Sequence, residues 1–128
     1  ALKDYNAYDT LMLGRANATF YYIRYQCEMK VHQYKQALND IAHAALLSPE
    51  QPLYIAELAS LQLRVNQYED AIKTADLCLK YAPDNSDSYI IKGLALIQLK
   101  KTAEGLEALQ KAKELGDSRA DELIKKYK

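Results

Sequence analysis

From Tyr34 onward the chain repeats one arrangement of apolar and polar positions at a fixed interval, the distance from Tyr34 to Tyr68. Tyr34, Ala37, Leu38, Ile41, Ala44 and Pro49 recur one interval later as Tyr68, Ala71, Ile72, Ala75, Cys78 and Pro83. A further equal step reaches Thr102, Gly105, Leu106, Leu109, Ala112 and Asp117, where the Tyr, the Ala and the Pro are lost. Within each copy the spacing i, i+1, i+4, i+7 gathers the apolar positions on one face of a helix. The small residue at Ala37, Ala71 and Gly105 admits another helix at close range, although glycine gives up about 1 kcal/mol of helix propensity to alanine.

A second amphipathic run precedes each of these helices: LYIAELASLQLRV over 53–65 and SYIIKGLALIQLK over 88–100, joined onward by NQY and KT. Each copy therefore reads as a helical hairpin. SPEQP and APDNSD end the hairpins, since proline cannot donate to the preceding turn and polar side chains can cap the next helix. The expected limits are 18–51, 52–85 and 86–117 for three hairpins and 118–128 for a final capping helix, all in one domain. Residues 1–17 read as a remnant of a preceding hairpin with a linker, because ALKDY echoes ALNDI at 37–41. In the first hairpin, counting back one interval from Leu58, Ala59 and Gln62 lands on Arg24, Tyr25 and Glu28, poor choices for a packing face. Phe20, Ile23 and Cys27 make a more apolar stripe one residue out of phase, which implies a longer turn around Val31 to Gln33. At the far end Gly116 stops a helix, Ser118 with Asp121 resembles a capping box, and Ala120, Leu123, Ile124 and Tyr127 form an apolar stripe.

A helix-turn-helix unit of this length, carrying Ile55, Leu58, Ala59, Tyr68, Ala71, Ala75, Cys78 and Pro83, then Tyr89, Gly93, Leu96, Gly105, Leu109 and Ala112, resembles the tetratricopeptide repeat family. That resemblance implies an all-α fold, a right-handed α-solenoid whose first helices line a concave groove holding a peptide or helix of a partner protein. Carried over, the groove positions are Tyr22, Gln26 and Met29 in the first hairpin. In the second they are Leu53, Ala56, Ser60, Leu63 and Arg64, and in the third Asp87, Ile90, Leu94, Ile97 and Gln98. An apolar row of Ile90, Leu94 and Ile97 either receives a partner or is covered by the chain itself. Docking there predicts that Leu94→Asp abolishes capture and leaves helicity intact. The positions matching the family's clamp for a chaperone's C-terminal carboxylate hold Tyr22, Gln26, Glu57, Asp87 and Ile91, so no such clamp is expected.

The remaining features narrow the function without naming a partner. Seventeen Lys and Arg balance seventeen Asp and Glu, leaving no net charge to draw nucleic acid or an anionic membrane. No apolar stretch approaches the roughly 18 residues of a membrane span. Cys27 and Cys78 stand far apart without metal-ligand spacing, and His32 and His43 match no ligand pair. Neither a catalytic set nor a metal site nor a cofactor is expected, and the chain reads as a non-catalytic interaction scaffold. TFYYIRYQ concentrates four aromatics around Arg24, yet lacks the basic stripe that nucleic-acid binding needs. Self-association as a homo-oligomer, through an apolar end at residues 1–8, is the alternative. Cysteine usage points to the cytoplasm, or to the periplasm or cell envelope if an upstream signal has been removed.

Overall fold

The computed structural model describes residues 7–128, with side chains from residue 17 on. The described residues form seven α-helices and no strand: α1 (Ala7–Lys30), α2 (Tyr34–Leu47), α3 (Pro52–Arg64), α4 (Tyr68–Tyr81), α5 (Ser86–Gln98), α6 (Thr102–Glu114) and α7 (Ser118–Tyr127). The described residues fall into two compact units, divided between Tyr54 and Ile55 and named below the 1–54 and 55–128 units. The echo at residues 1–5 lies outside the described residues, and residues 7–17, expected within the remnant and linker, continue α1. Among the described residues no helix is long and apolar enough to cross a membrane.

The repeat interval reaches down to single backbone torsions. Three residues separate α1 from α2, α3 from α4 and α5 from α6, and the middle one is left-handed each time: His32 (φ 60), Asn66 (φ 67) and Lys100 (φ 68). The reversed torsion lets the next amide fold back on the last turn, from Gln33 to the Glu28 carbonyl (2.9 Å), from Gln67 to Gln62 (2.8 Å) and from Lys101 to Leu96 (2.8 Å). Carbonyls that a helix end would leave unpaired are thereby satisfied. The first turn is no longer than the others, so the expected slip does not occur.

The repeated positions form the interior. Residues 37, 71 and 105, then 41, 75 and 109, then 44, 78 and 112 are all buried. In the 55–128 unit, Ala59 of α3 meets Ala71 and Ala75 of α4 and Ile91 and Ala95 of α5, with Leu63, Tyr68 and Ile72 around them. A second cluster joins Ile90 of α5, Leu109 and Ala112 of α6 and Ala120 of α7. Glycine at 93 and 105 permits the close approach of α5 and α6. A Cβ on Gly105 would stand 2.6 Å from Cγ1 of Ile97 and 2.7 Å from the Gly93 carbonyl oxygen.

In the 1–54 unit, α1 buries Ala18 and Tyr25, while α2 buries Ala37, Ile41 and Ala44. This corrects the expected stripe: Phe20 and Ile23 are 55% and 54% exposed, and Cys27 is exposed as well. Tyr25 and Glu28, in phase with Ala59 and Gln62, turn inward instead. The physical reason is that polar partners are available inside this hairpin. Arg24 Nε lies 3.2 Å from Oδ2 of the buried Asp40, and the Asp40 carboxylate raises the pKa of the Glu28 carboxyl beside it.

Candidate functional site

Four of the expected groove residues, Ala56, Ser60, Asp87 and Ile90, meet around one hollow. Ala56 and Ser60 on α3 and Ile90 on α5 line a pocket of about 190 Å³, completed by Glu57, Asp87, Ile91 and Arg119. Helical spacing explains the selection: residue 60 lies one turn from 56 on α3, and residues 90 and 91 each lie one turn from 87 on α5. The floor is apolar and the rim charged. Ile90 does two things at once, since it is only 6% exposed and belongs to the core with Leu109, yet one edge reaches the pocket.

The rest of the expected row is partly covered by its own chain. Leu63 packs on the Ala59 cluster, and Leu94 and Ile97 pack on the Ile90 cluster beside Leu106, Leu123 and Ile124. In this row Ile90 is buried, while Leu63, Leu94 and Ile97 are partly buried, Leu63 against α4 and α5 and the other two against α6 and α7. An aspartate at position 94 would damage the core, so Leu94→Asp does not isolate binding. Arg64 and Gln98 are exposed at the C-terminal ends of α3 and α5, and Leu53 is exposed near the start of α3.

Within the 1–54 unit, Tyr22 is half-buried, with its ring 5.8 Å from that of Tyr25 and 5.2 Å from that of Tyr54. Gln26 is exposed and Met29 partly buried. The aromatic run divides as helical spacing requires. Tyr25 is interior, Tyr21 stacks on His43 at 5.1 Å, and Phe20 stands outside beneath the Arg24 guanidinium at 5.6 Å. His32 and His43 are both engaged through Nδ1, with the Tyr34 hydroxyl and the Asn39 carbonyl respectively, each at 2.8 Å.

Arg119, which sequence reasoning missed, is the pocket's contribution from α7. Asp117, not Ser118, caps that helix: its Oδ1 accepts the Arg119 amide at 3.0 Å, and its Oδ2 accepts the Ser86 hydroxyl at 2.9 Å. The Arg119 guanidinium then grips both Asp117 oxygens, Nε to Oδ1 at 3.0 Å and Nη2 to Oδ2 at 2.7 Å. These bonds hold the Asp117 carboxyl well below the usual carboxylate range, with Arg119 the largest cause. Nη2 also donates to Asp87 on α5, bridging the pocket rim. Asp121, expected in a capping box, pairs instead with Lys113 at 3.1 Å and Lys125 at 3.6 Å.

A second hollow, of about 750 Å³, lies among α4, α5 and α6. Ile72, Leu79 and Leu96 contribute apolar surface, and the Asp76–Lys92 pair closes part of its edge at 2.8 Å. It uses none of the expected groove residues.

No protein-family model matches the chain, and no curated protein does. Solved structures do. The Arabidopsis OM64 TPR domain has a TM-score of 0.83 at 17% identity, over 90% of this chain and 97% of that one. The first TPR of Spaghetti (RPAP3), bound to the HSP90 peptide SRMEEVD, scores 0.81 at 18% identity, over 88% and 91%. The TPR2B domain of yeast Sti1, in complex with pHsp70, scores 0.81 at 20% identity, over 88% and 96%. With helices, three-residue turns and buried positions that all recur at one interval, the chain has the tetratricopeptide-repeat fold.

Proposed function

We propose that this chain is a non-catalytic protein-interaction module that holds a segment of a partner polypeptide on the first-helix face formed by α3 and α5. The observation that carries the reading is the meeting of Ala56, Ser60 and Ile90 around one pocket with an apolar floor and a solvent-facing rim. Two neighbours of the same fold are complexes, one with an HSP90 peptide and one with pHsp70, which supports this mode of use. The ligand chemistry differs, however. Glu57 and Asp87 stand at the pocket, where carboxylates repel the acidic end of a sequence such as SRMEEVD. A segment carrying apolar and basic side chains suits this lining better.

Ser60→Trp tests the reading, because residue 60 is exposed and its enlarged side chain would fill the pocket without entering the core. The expected result is an unchanged circular dichroism spectrum with partner capture from extracts of the source cells reduced at least about tenfold, a loss of roughly 1.4 kcal/mol. Undiminished capture of the same partner by the folded variant would remove this pocket from the binding surface.

A further inference from the structure

We propose that Arg119 is a built-in competitor, occupying on Asp87 the place that an arginine or lysine side chain of the bound segment takes. The inference rests on the groove reading above and adds the chemistry of the occupant.

The geometry distinguishes two halves of the Arg119 network. Asp117 is only 8% exposed and meets the guanidinium through both oxygens, besides accepting the Ser86 hydroxyl and the Arg119 amide. That half is anchored and already matches the charge of Arg119. The other half, the reach to Asp87, joins two side chains that are 59% and 55% exposed. Exposed ion pairs contribute little, so this bond can be exchanged for an equivalent one at small cost. Releasing Asp87 leaves Arg119 still held on Asp117.

The pocket's composition selects what replaces it. Its volume, about 190 Å³, suits one side chain and falls short of the roughly 300–1,000 Å³ typical of sites for whole small molecules. Ala56, Ile90 and Ile91 offer apolar surface, while Glu57 and Asp87 place carboxylates at the rim. Long basic side chains combine these needs, laying an apolar stem on hydrophobic surface with the charge at the edge. With Arg119 neutralised by Asp117, the negative charge of Asp87 is left for such a group.

The test uses three alanine–leucine heptapeptides identical except for arginine, its neutral isostere citrulline, or glutamate at the centre. Each is titrated into the labelled protein and followed through the amide resonances of Ser60, Asp87 and Ile90. Arg119→Ala keeps the amide that Asp117 caps, so α7 stays formed, which circular dichroism checks. The expected result is that this variant binds the arginine peptide about five- to tenfold more tightly than the parent protein, a gain of roughly 1 kcal/mol or slightly more. The citrulline peptide gains nothing, and Asp87→Asn erases the preference for arginine. Unchanged or weakened arginine-peptide binding by Arg119→Ala, or preference for glutamate, overturns the proposal. Equal resonance shifts with all three peptides would defeat the competitor and leave the groove standing, whereas no shift with any peptide in either protein would defeat both.

Discussion

At Gly105 two effects of a single methyl group oppose each other. Alanine gains about 1 kcal/mol of helix propensity over glycine. The added Cβ, however, would lie 2.6 Å from Ile97 and 2.7 Å from the Gly93 carbonyl, closer than atoms pack. Ile97 could change rotamer, but the backbone oxygen has no such freedom, so α5 and α6 must separate. Overpacking of this kind costs roughly 1–3 kcal/mol and outweighs the propensity. Gly105→Ala should therefore lower the midpoint of chemical denaturation, whereas a raised midpoint would mean that the helices part easily. The sequence made the need for a small residue legible here, through Ala37 and Ala71 at the same phase. It did not make Arg119 legible, because its partners, Asp117 and Asp87, stand two and 32 residues away and share no helical period with it.

At the scale of the element, the α1–α2 hairpin shows why hydropathy alone misplaced a helix face. Apolar character favoured Phe20, Ile23 and Cys27, yet Tyr25 and Glu28 face inward because Asp40 on α2 gives Arg24 and Glu28 a polar partner. That compensation depends on a contact between two helices, which one helix's sequence does not display. It also leaves a titratable consequence. The Glu28 carboxyl is raised to about 6, first by its hydrogen bond to Asp40, then by burial and by the Asp40 charge, with Arg24 opposing. A carboxyl raised in the fold contributes stability that is fully present below its unfolded value, about 4.5, and is lost as pH climbs through about 6. The hairpin should accordingly weaken as pH rises from about 4.5 past about 6. Glu28→Gln keeps a donor for Asp40 at every pH, so thermal melts should show it roughly 1 kcal/mol more stable than the parent at neutral pH, after allowance for solvent screening, and no different at about pH 4.5. A parent and variant with parallel pH profiles would contradict the shared proton.

At the scale of the molecule, the regular recurrence of apolar positions announced the helix pairs, and the left-handed turns at His32, Asn66 and Lys100 keep the same step. The candidate site was legible in part. Ala56, Ser60 and Ile90 meet at the pocket, while Leu94 and Ile97 are engaged by neighbours on α6 and α7. A helical period fixes which residues share a face, but not how far the next helix covers it. The central claim is that a partner segment lies against α3 and α5. Cross-saturation from a bound, unlabelled partner onto the labelled protein tests it most directly. Saturation should concentrate at Ser60, Asp87 and Arg119; saturation confined to Leu79, Glu104 and Glu107 would place the partner in the other hollow and contradict the account.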